Sequence, residues 1–405
     1  MAMYSPPRER HIGRALLPLG LVFFAVGIST ALVYPFMSLF LTTAVHAGPV
    51  EITVYLVAAP LAGVLASSLL ARLSDRRAIR RALLIGASVA GVLGTGLTAF
   101  VRDYWLLLAL AVTATAVAGS LFPQTFAYAR QVLARDDPGR AALGTSTLRT
   151  VFSVAWVAGP PLAAVLLESG GFAILYATAA VTYAIAALIG IFWLDEVEAA
   201  APESDSTDPV PVTDRPEATR WTLLATTAAF TLLQCPLTLS VQALPLFIVD
   251  DLGGKAGDAG LILGLCALLE IPLMLGFGVL TTRIRLRTLV LAGAACGVVY
   301  QLVALSAGNI GVLAAGQLVN ALFISSVSGL GITYLQDMLP RHPGRAATLF
   351  TNSFPIGAVL AGPLFGVSQH IGFRFAYVIG AVLGMAGLLV LLAVRPPARR
   401  DQPRK

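Results

Sequence analysis

The sequence predicts an all-α membrane protein in which twelve transmembrane helices form two similar six-helix halves. Of its 405 residues, 57% are hydrophobic and only 12% are charged, whereas about a quarter of a soluble chain is charged. Apolar runs of about 20 residues, the length that crosses a bilayer, recur along the chain. Motifs also return about 200 residues later, as when Pro138–Ala142 reappears at Pro343–Ala347. These observations exclude a soluble fold and indicate an internal duplication.

The apolar runs define six predicted spans on each side of one polar segment. The first run is too long for a signal peptide, so we expect it to be retained. In the first half, the spans are 16–41, 51–71, 82–100, 105–130, 145–167 and 172–194. In the second half, they are 221–249, 258–281, 288–306, 310–336, 346–368 and 373–394. We therefore predict an N-terminal bundle over 1–194, a cytoplasmic linker over 195–220 and a C-terminal bundle over 221–405.

The charges between the spans predict the orientation of the chain. Arginines cluster at both termini and in every second loop, whereas the opposite loops carry only Arg102, Lys255 and Arg374. Cytoplasmic loops show this excess of positive charge, so we expect cytoplasmic termini and no nucleic-acid partner. The polar linker is predicted to be a disordered connection, with a regulatory segment as the alternative.

Two charged residues lie well inside the predicted spans: Arg149 in span 5 and Glu270 in span 8. A charge at membrane depth costs at least about 2.5–3.5 kcal/mol, so such residues normally face a cavity or a partner. Trp156 lies two helical turns after Arg149 on the same face. An indole can stack on a sugar ring while a guanidinium donates to its hydroxyls. The pattern favours a substrate site at the interface between the halves, and a structural ion pair is the alternative.

Further polar side chains recur at helical spacing on the spans expected to line this site. They are Gln124, Tyr128 and Gln131 on span 4, Gln234 and Gln242 on span 7, Asn320 on span 10, Asn352 on span 11 and Tyr34 on span 1. Any one of them could simply bond a neighbouring helix, at about 0.6 kcal/mol each. Together they predict a polar, mostly uncharged cavity for neutral hydroxylated substrates. Spans 3, 6, 9 and 12 hold fewer amides and are predicted to be lipid-facing supports.

Small residues and prolines punctuate equivalent positions of the two halves. Gly159-Pro160-Pro161 is predicted to interrupt span 5, and Gly362-Pro363 stands at the matching place in span 11. These breaks indicate either gating kinks or packing. The small residues Gly357, Ala361, Gly362 and Gly366 of span 11 predict a close approach of neighbouring spans.

Motifs of other function classes are missing from the sequence. Cys235, Cys266 and Cys296 lie in apolar segments and are interpreted as packed small side chains, without a disulfide or metal pattern. Gly253-Gly254-Lys255 lacks the other residues of an ATP-binding loop. We therefore expect no enzyme activity and no cofactor, with an ion gradient as the energy source. Drug export and a transmembrane enzyme or receptor are the alternative functions.

The loop Ala71–Arg81 resembles the signature loop of the major facilitator superfamily. Asp75, Arg76 and Arg80 match its pattern, although alanines replace both glycines. Positive charge alone could anchor this loop. The carboxylate suggests in addition a charge latch that locks one conformation. The resemblance extends over nearly the whole chain and implies the parallel six-plus-six repeat of that superfamily.

Two further stretches resemble the bacterial sugar efflux transporter group of this superfamily. These are Leu148–Ala163 and the run from Tyr334 to Asn352. The resemblance implies a monomeric transporter in the lipid bilayer of the bacterial inner membrane. It further implies that the protein exports sugars or glycosides by alternating access, as a proton antiporter.

The arrangement on spans 5 and 8 also resembles that of the lactose permeases. By this resemblance, Arg149 and Glu270 would bind sugar hydroxyls and Trp156 would stack on the ring. Those permeases couple protons through a histidine and a glutamate on span 10, and span 10 of this chain has neither. Coupling through Glu270 or Asp337 is therefore only a hypothesis.

Overall fold

The computed structural model describes residues 9–76, 79–136, 138–194 and 217–394. Within these ranges the chain forms helices joined by short turns and contains no strand. It divides into two compact units: unit 1 comprises Met1–Phe36 and Ala58–Glu203, and unit 2 comprises Met37–Val57 and Ser204–Lys405. The all-α prediction is confirmed for the described residues.

Eleven helices in the described ranges are long and apolar enough to cross a membrane. The helices of the first half are α1 (Glu9–Val33), α2 (Met37–Thr43), α3 (Pro49–Arg76), α4 (Arg80–Phe100), α5 (Tyr104–Leu110), α6 (Ala116–Gly119), α7 (Leu121–Asp136) and α8 (Pro138–Phe192). Those of the second half are α9 (Arg220–Leu246), α10 (Ala256–Leu280), α11 (Leu286–Ser306), α12 (Ile310–Met338), α13 (Pro343–Ile371) and α14 (Phe375–Ala393).

Helix α8 contains two of the predicted spans. Its backbone leaves helical geometry at Gly170 and Gly171, and the latter has φ 64°, a conformation that glycine adopts without strain. Dividing α8 there brings the structure into agreement with the twelve predicted spans. The predicted interruption at Gly159–Pro161 is wrong, because the backbone stays helical through it. A membrane helix tolerates proline when neighbouring groups satisfy the freed carbonyl.

Exposed aromatic side chains mark both ends of the bundle in unit 1. Phe100 and Trp105 flank the turn between α4 and α5, and both are largely exposed. Phe192 and Trp193 end α8 at the opposite side and are exposed as well. Trp and other large aromatic rings concentrate at membrane–water interfaces. Their positions at helix ends agree with helices that cross a bilayer.

In each unit, an arginine from another helix donates hydrogen bonds to backbone carbonyls at the C-terminal end of the last helix. In unit 1, Arg81 on α4 donates to the carbonyls of Gly190 and Ile191 near the end of α8, at 3.1 and 2.6 Å. In unit 2, Arg287 on α11 donates to the carbonyls of Leu391 and Leu392 near the end of α14, at 3.2 and 2.9 Å. The last carbonyls of a helix lack partners within it, and a cation there is favourable. The duplicated sequence thus carries a duplicated contact.

Unit 2 includes Met37–Val57, although this segment belongs to the N-terminal part of the sequence. Ser38 Oγ donates to the backbone carbonyl of Gln242 on α9 at 2.5 Å. On α13, a Cβ at Gly362 would lie 2.8 Å from Val57 Cγ2, and one at Gly366 would collide with Thr53 Oγ1. The predicted close approach at these glycines is confirmed. Residues 53–57 can pack this closely against α13 because Gly362 and Gly366 have no side chain.

Candidate functional site

An aromatic pair in unit 1 contains two of the predicted site residues. Tyr34 lies in the one-turn 3-10 helix Tyr34–Phe36 between α1 and α2, and Trp156 lies on α8. Their rings meet edge to face with centroids 6.3 Å apart and an interplanar angle of 66°. Both side chains are only half-buried. Each ring therefore has surface left for stacking on an apolar face of a ligand.

The three predicted polar residues on α7 differ in how deeply they are buried in unit 1. Gln124 is buried, and Tyr128 packs within the apolar core beside Leu19 and Val22. Gln131 is half-buried. The stripe is therefore a set of inward-facing polar groups rather than a uniformly open surface.

Several predicted charged side chains lie outside the described residues. The backbone of Arg149 lies in α8, and Asp75 and Arg76 end α3, but these three side chains are not described. Arg80 is half-buried as the first residue of α4. The charge latch and the role of Arg149 stay predictions.

Four phenylalanines in unit 1 form a cluster that the sequence interpretation missed. Phe122 lies 4.9 Å from Phe126 and 4.4 Å from Phe152 between ring centroids, and Phe126 lies 4.5 Å from Phe23. The rings come from α1, α7 and α8. The spacing of Phe122 and Phe126 by four residues was the available signal. The cluster gives the half that carries Trp156 an apolar surface next to its polar groups.

Glu270 in unit 2 begins a chain of hydrogen bonds. Its Oε1 accepts from Cys266 Sγ at 3.5 Å, and that sulfur accepts from Asn320 Nδ2 at 3.5 Å. Glu270 is half-buried in the middle of α10, while Cys266 and Asn320 are buried. Ser325 Oγ on α12 also donates to the Glu270 backbone carbonyl at 3.2 Å. Cys266 is thus packed, as predicted, but it also bridges an acid and an amide.

This series of hydrogen bonds extends from α12 to α11 through Gln317. Asn320 Nδ2 donates to Gln317 Oε1 at 3.0 Å, and Gln317 Nε2 donates to the Tyr300 hydroxyl at 3.3 Å. Next to Tyr300, Gln301 exchanges hydrogen bonds with Ser240 on α9 at 3.0 and 3.1 Å. Span 9 therefore contributes polar side chains to the interior of unit 2, and its predicted role as a lipid-facing support stays a prediction. Gly293 and Gly297 bring one face of α11 close to α12, where Tyr300 also lies, whereas Gln301 meets α9 and, at Gly380, α14.

The remaining predicted residues of unit 2 differ in their surroundings. Gln234 Nε2 donates to Ser328 Oγ at 3.4 Å, while its buried Oε1 meets no donor among the described residues. Gln242 is buried on α9. Asn352 and Asp337 are exposed, the latter in the last turn of α12. Of the predicted set in this unit, the structure links Glu270 with Asn320.

Comparison with known proteins gives consistent matches along the chain. The family model described as Major Facilitator Superfamily matches residues 19–241 and again residues 227–405. Sugar efflux transporter A of Dickeya chrysanthemi is 33% identical over 91% of this chain and 92% of its own length. Sugar efflux transporter C of Escherichia coli is 32% identical over 92% of this chain and 93% of its own length.

Solved transporters share the fold at low sequence identity. The nucleoside transporter NupG has a TM-score of 0.75 and 13% identity over 94% of this chain and 98% of its own. A POT family transporter in complex with 5-aminolevulinic acid has a TM-score of 0.76 and 10% identity over 94% and 95% of the two chains. These two similarities establish the architecture alone.

Proposed function

The chain belongs to the major facilitator superfamily, and from this premise we propose that it exports small sugars or glycosides by alternating access. The observation that carries the proposal is the similarity to relatives named sugar efflux transporters, which extends over about nine-tenths of the chain. A secondary transporter of this kind binds its substrate near the middle of the membrane and is driven by an ion gradient.

The chemistry of the described residues supports a neutral, hydroxylated substrate. Unit 1 offers half-buried aromatic rings at Tyr34 and Trp156, and unit 2 offers the carboxylate of Glu270 with the amide of Asn320. Aromatic faces take the apolar side of a sugar ring, and oxygen acceptors take its hydroxyl protons. The other predicted ligands, including Arg149, belong to this proposal as expectations from the sequence.

We further propose proton antiport in the inner membrane of a bacterial cell. When α8 is divided at Gly170 and Gly171, which places Glu168 at a helix end, Glu270 is the acidic residue that lies midway along its helix within the described spans. A carboxyl group at that depth binds a proton or a hydrogen-bonded ligand more readily than it stays bare. Asp337 is exposed at a helix end, which makes it the weaker coupling candidate.

Transport in inverted membrane vesicles tests the proposed function. We expect energised vesicles containing the protein to accumulate at least one radiolabelled glycoside, because export from a cell becomes uptake when the membrane is inverted. A protonophore should abolish the uptake, and vesicles without the protein should show none. Uptake of lipophilic drugs without any glycoside would instead identify a drug exporter. Glycoside uptake that resists the protonophore would refute only the proton coupling.

Labelling of single cysteines tests the proposed orientation. In a variant in which Cys235, Cys266 and Cys296 are replaced, Ser204→Cys should react with a membrane-impermeant maleimide only from the cytoplasmic side. Gly308→Cys should react only from the opposite side, because it follows α11 at the far end of that helix. Reaction of both cysteines in intact cells would contradict cytoplasmic placement of the linker.

A further inference from the structure

The fourth predicted span is interrupted near its middle, between α6 and α7. The backbone N–H of Ser120 donates to the Val117 carbonyl, only three residues earlier, at 3.1 Å, and Ser120 Oγ donates to the same carbonyl at 2.6 Å. Pro123 has no N–H for the carbonyl of Gly119, four residues before it. A Gly-Ser pair and a proline are both recognised causes of helix bends. We call Gly119–Pro123 the span-4 break.

The part of the span before the break is held against α4. Helix α5 continues through one π-helical turn, Ala111–Thr115, into α6, and both the turn and α6 contact α4. A Cβ at Gly94 of α4 would lie 2.8 Å from Thr115 Oγ1 and 3.3 Å from the Thr115 backbone nitrogen. Ala116 and Ala118 of α6 are buried. Helix α4 is therefore the support of this part.

Helix α7, after the break, has additional partners. It touches α4 as well, but it also packs against α1 and α8. Phe122 and Phe126 of α7 meet Phe152 of α8 and Phe23 of α1 in the four-phenylalanine cluster. Tyr128 lies further along α7 in the same apolar core. The break thus separates two parts of one span that are held by different helices.

We propose that span 4 bends at the break during transport, so that α7 moves with the phenylalanine cluster while α5 and α6 stay on α4. This inference rests on the proposed function, because the transport cycle is what requires the movement. The two halves of such transporters rock largely as rigid bodies, and the bend adds a movement inside one half. Gln124 and Tyr128 belong to α7, so the bend shifts two predicted ligand positions relative to their supporting helix.

Replacement of the two residues that weaken the helix is the first test. Gly119→Ala combined with Pro123→Ala restores a backbone N–H and introduces two strong helix formers, so span 4 should become stiffer. Both residues are exposed, and no atom lies within 4 Å of a Cβ built on Gly119. We expect glycoside uptake into inverted vesicles to be about 5-fold slower or more. The midpoint of thermal unfolding should not fall.

Gly86→Ala is the matched control for this double variant. Gly86 is also exposed, and no atom lies within 4 Å of a Cβ built on it, but it belongs to the continuous helix α4. The substitution gives the same gain in helix propensity away from the break. Transport by Gly86→Ala should equal that of the unmodified protein.

Distances between spin labels test the movement without changing the break. In the variant that lacks the three native cysteines, one label is placed at Ile185, which is exposed on the part of α8 that packs against α4. The second label is placed either at Ala127 on α7 or at Trp105 on α5. In nanodiscs, pulsed electron paramagnetic resonance should give a broad or two-component distribution for 127–185 and a narrow one for 105–185. The double variant should narrow the first distribution.

The outcomes separate the bend from the proposed function. Equally narrow distributions for both label pairs would show that α7 does not move against its support, and would overturn the bend. Normal transport by a folded double variant would overturn it too. If the double variant does not fold, the two distributions of the chain with its break intact decide. Failure of the unmodified protein to transport any glycoside would reject sugar export, whereas a broad 127–185 distribution would still show that span 4 bends.

Discussion

Glu270→Gln is expected to lower the transport rate by about 10-fold or more at subsaturating sugar. The glutamine keeps the size of the side chain and can still accept from Cys266 through its oxygen. Its other terminal atom, however, becomes a donor that faces a hydroxyl proton. Hydrogen bonds to charged groups contribute about 1.5–3 kcal/mol, which corresponds to roughly 10- to 150-fold in affinity. The rate of glycoside uptake into inverted vesicles measures the change.

The matched control for this variant is Glu168→Gln. Glu168 is an exposed glutamate near the break in α8, and the same substitution removes the same charge there. It should leave transport and expression unchanged. Equal transport by both variants would show that the carboxylate of Glu270 neither binds sugar nor couples a proton.

Gly357→Leu should cause a large loss of stability in unit 2. A Cβ at this position of α13 would lie 3.0 Å from the backbone nitrogen of Cys235 and 3.1 Å from the carbonyl carbon of Gln234. Both atoms belong to the backbone of α9, so no rotamer change relieves the contact. Overpacking of this kind costs about 1–3 kcal/mol and can cost more. We expect a clear fall in the midpoint of thermal unfolding in detergent and little folded protein after purification.

Gly276→Leu is the appropriate comparison for Gly357→Leu. Gly276 lies on the exposed face of α10, and no atom lies within 4 Å of a Cβ built on it. Both variants lose a glycine from a helix and gain the same side chain, so they differ only in the space around it. If the two unfold at the same temperature, the close approach of α13 and α9 does not limit stability.

The helices could be predicted from the sequence because a bilayer imposes a strong and simple pattern. An apolar run of sufficient length must satisfy its own backbone hydrogen bonds, which it does as a helix. The break between spans 5 and 6 also fell where the sequence placed it, at Gly170-Gly171. The interruption predicted at Pro160 and Pro161 was wrong because each proline removes one backbone hydrogen bond, and neighbouring groups can satisfy the carbonyls that these prolines leave without a donor.

The polar chain of unit 2 could be predicted only in part. Glu270 and Asn320 stood out because an acid and an amide are costly in an apolar helix. The sequence did not indicate that Cys266 and Tyr300 take part in this series of hydrogen bonds, because cysteine and tyrosine are also common as packing residues. Their role depends on which face of α11 meets α12, and that choice depends on the side chains of two helices at once. A single-helix pattern contains no information about it.

The assignment of Met37–Val57 to unit 2 has a consequence for how the chain is held together. The polypeptide passes from one unit to the other at residues 36–37 and 57–58, as well as through the linker. A cut within residues 195–216 would therefore leave the N-terminal fragment carrying a piece that completes the C-terminal one. Ser38, Thr53 and Val57 would still occupy their places against α9 and α13. We therefore expect the N-terminal fragment to stay bound to the C-terminal one without a covalent bond at the linker, through the contacts that residues 37–57 make within unit 2.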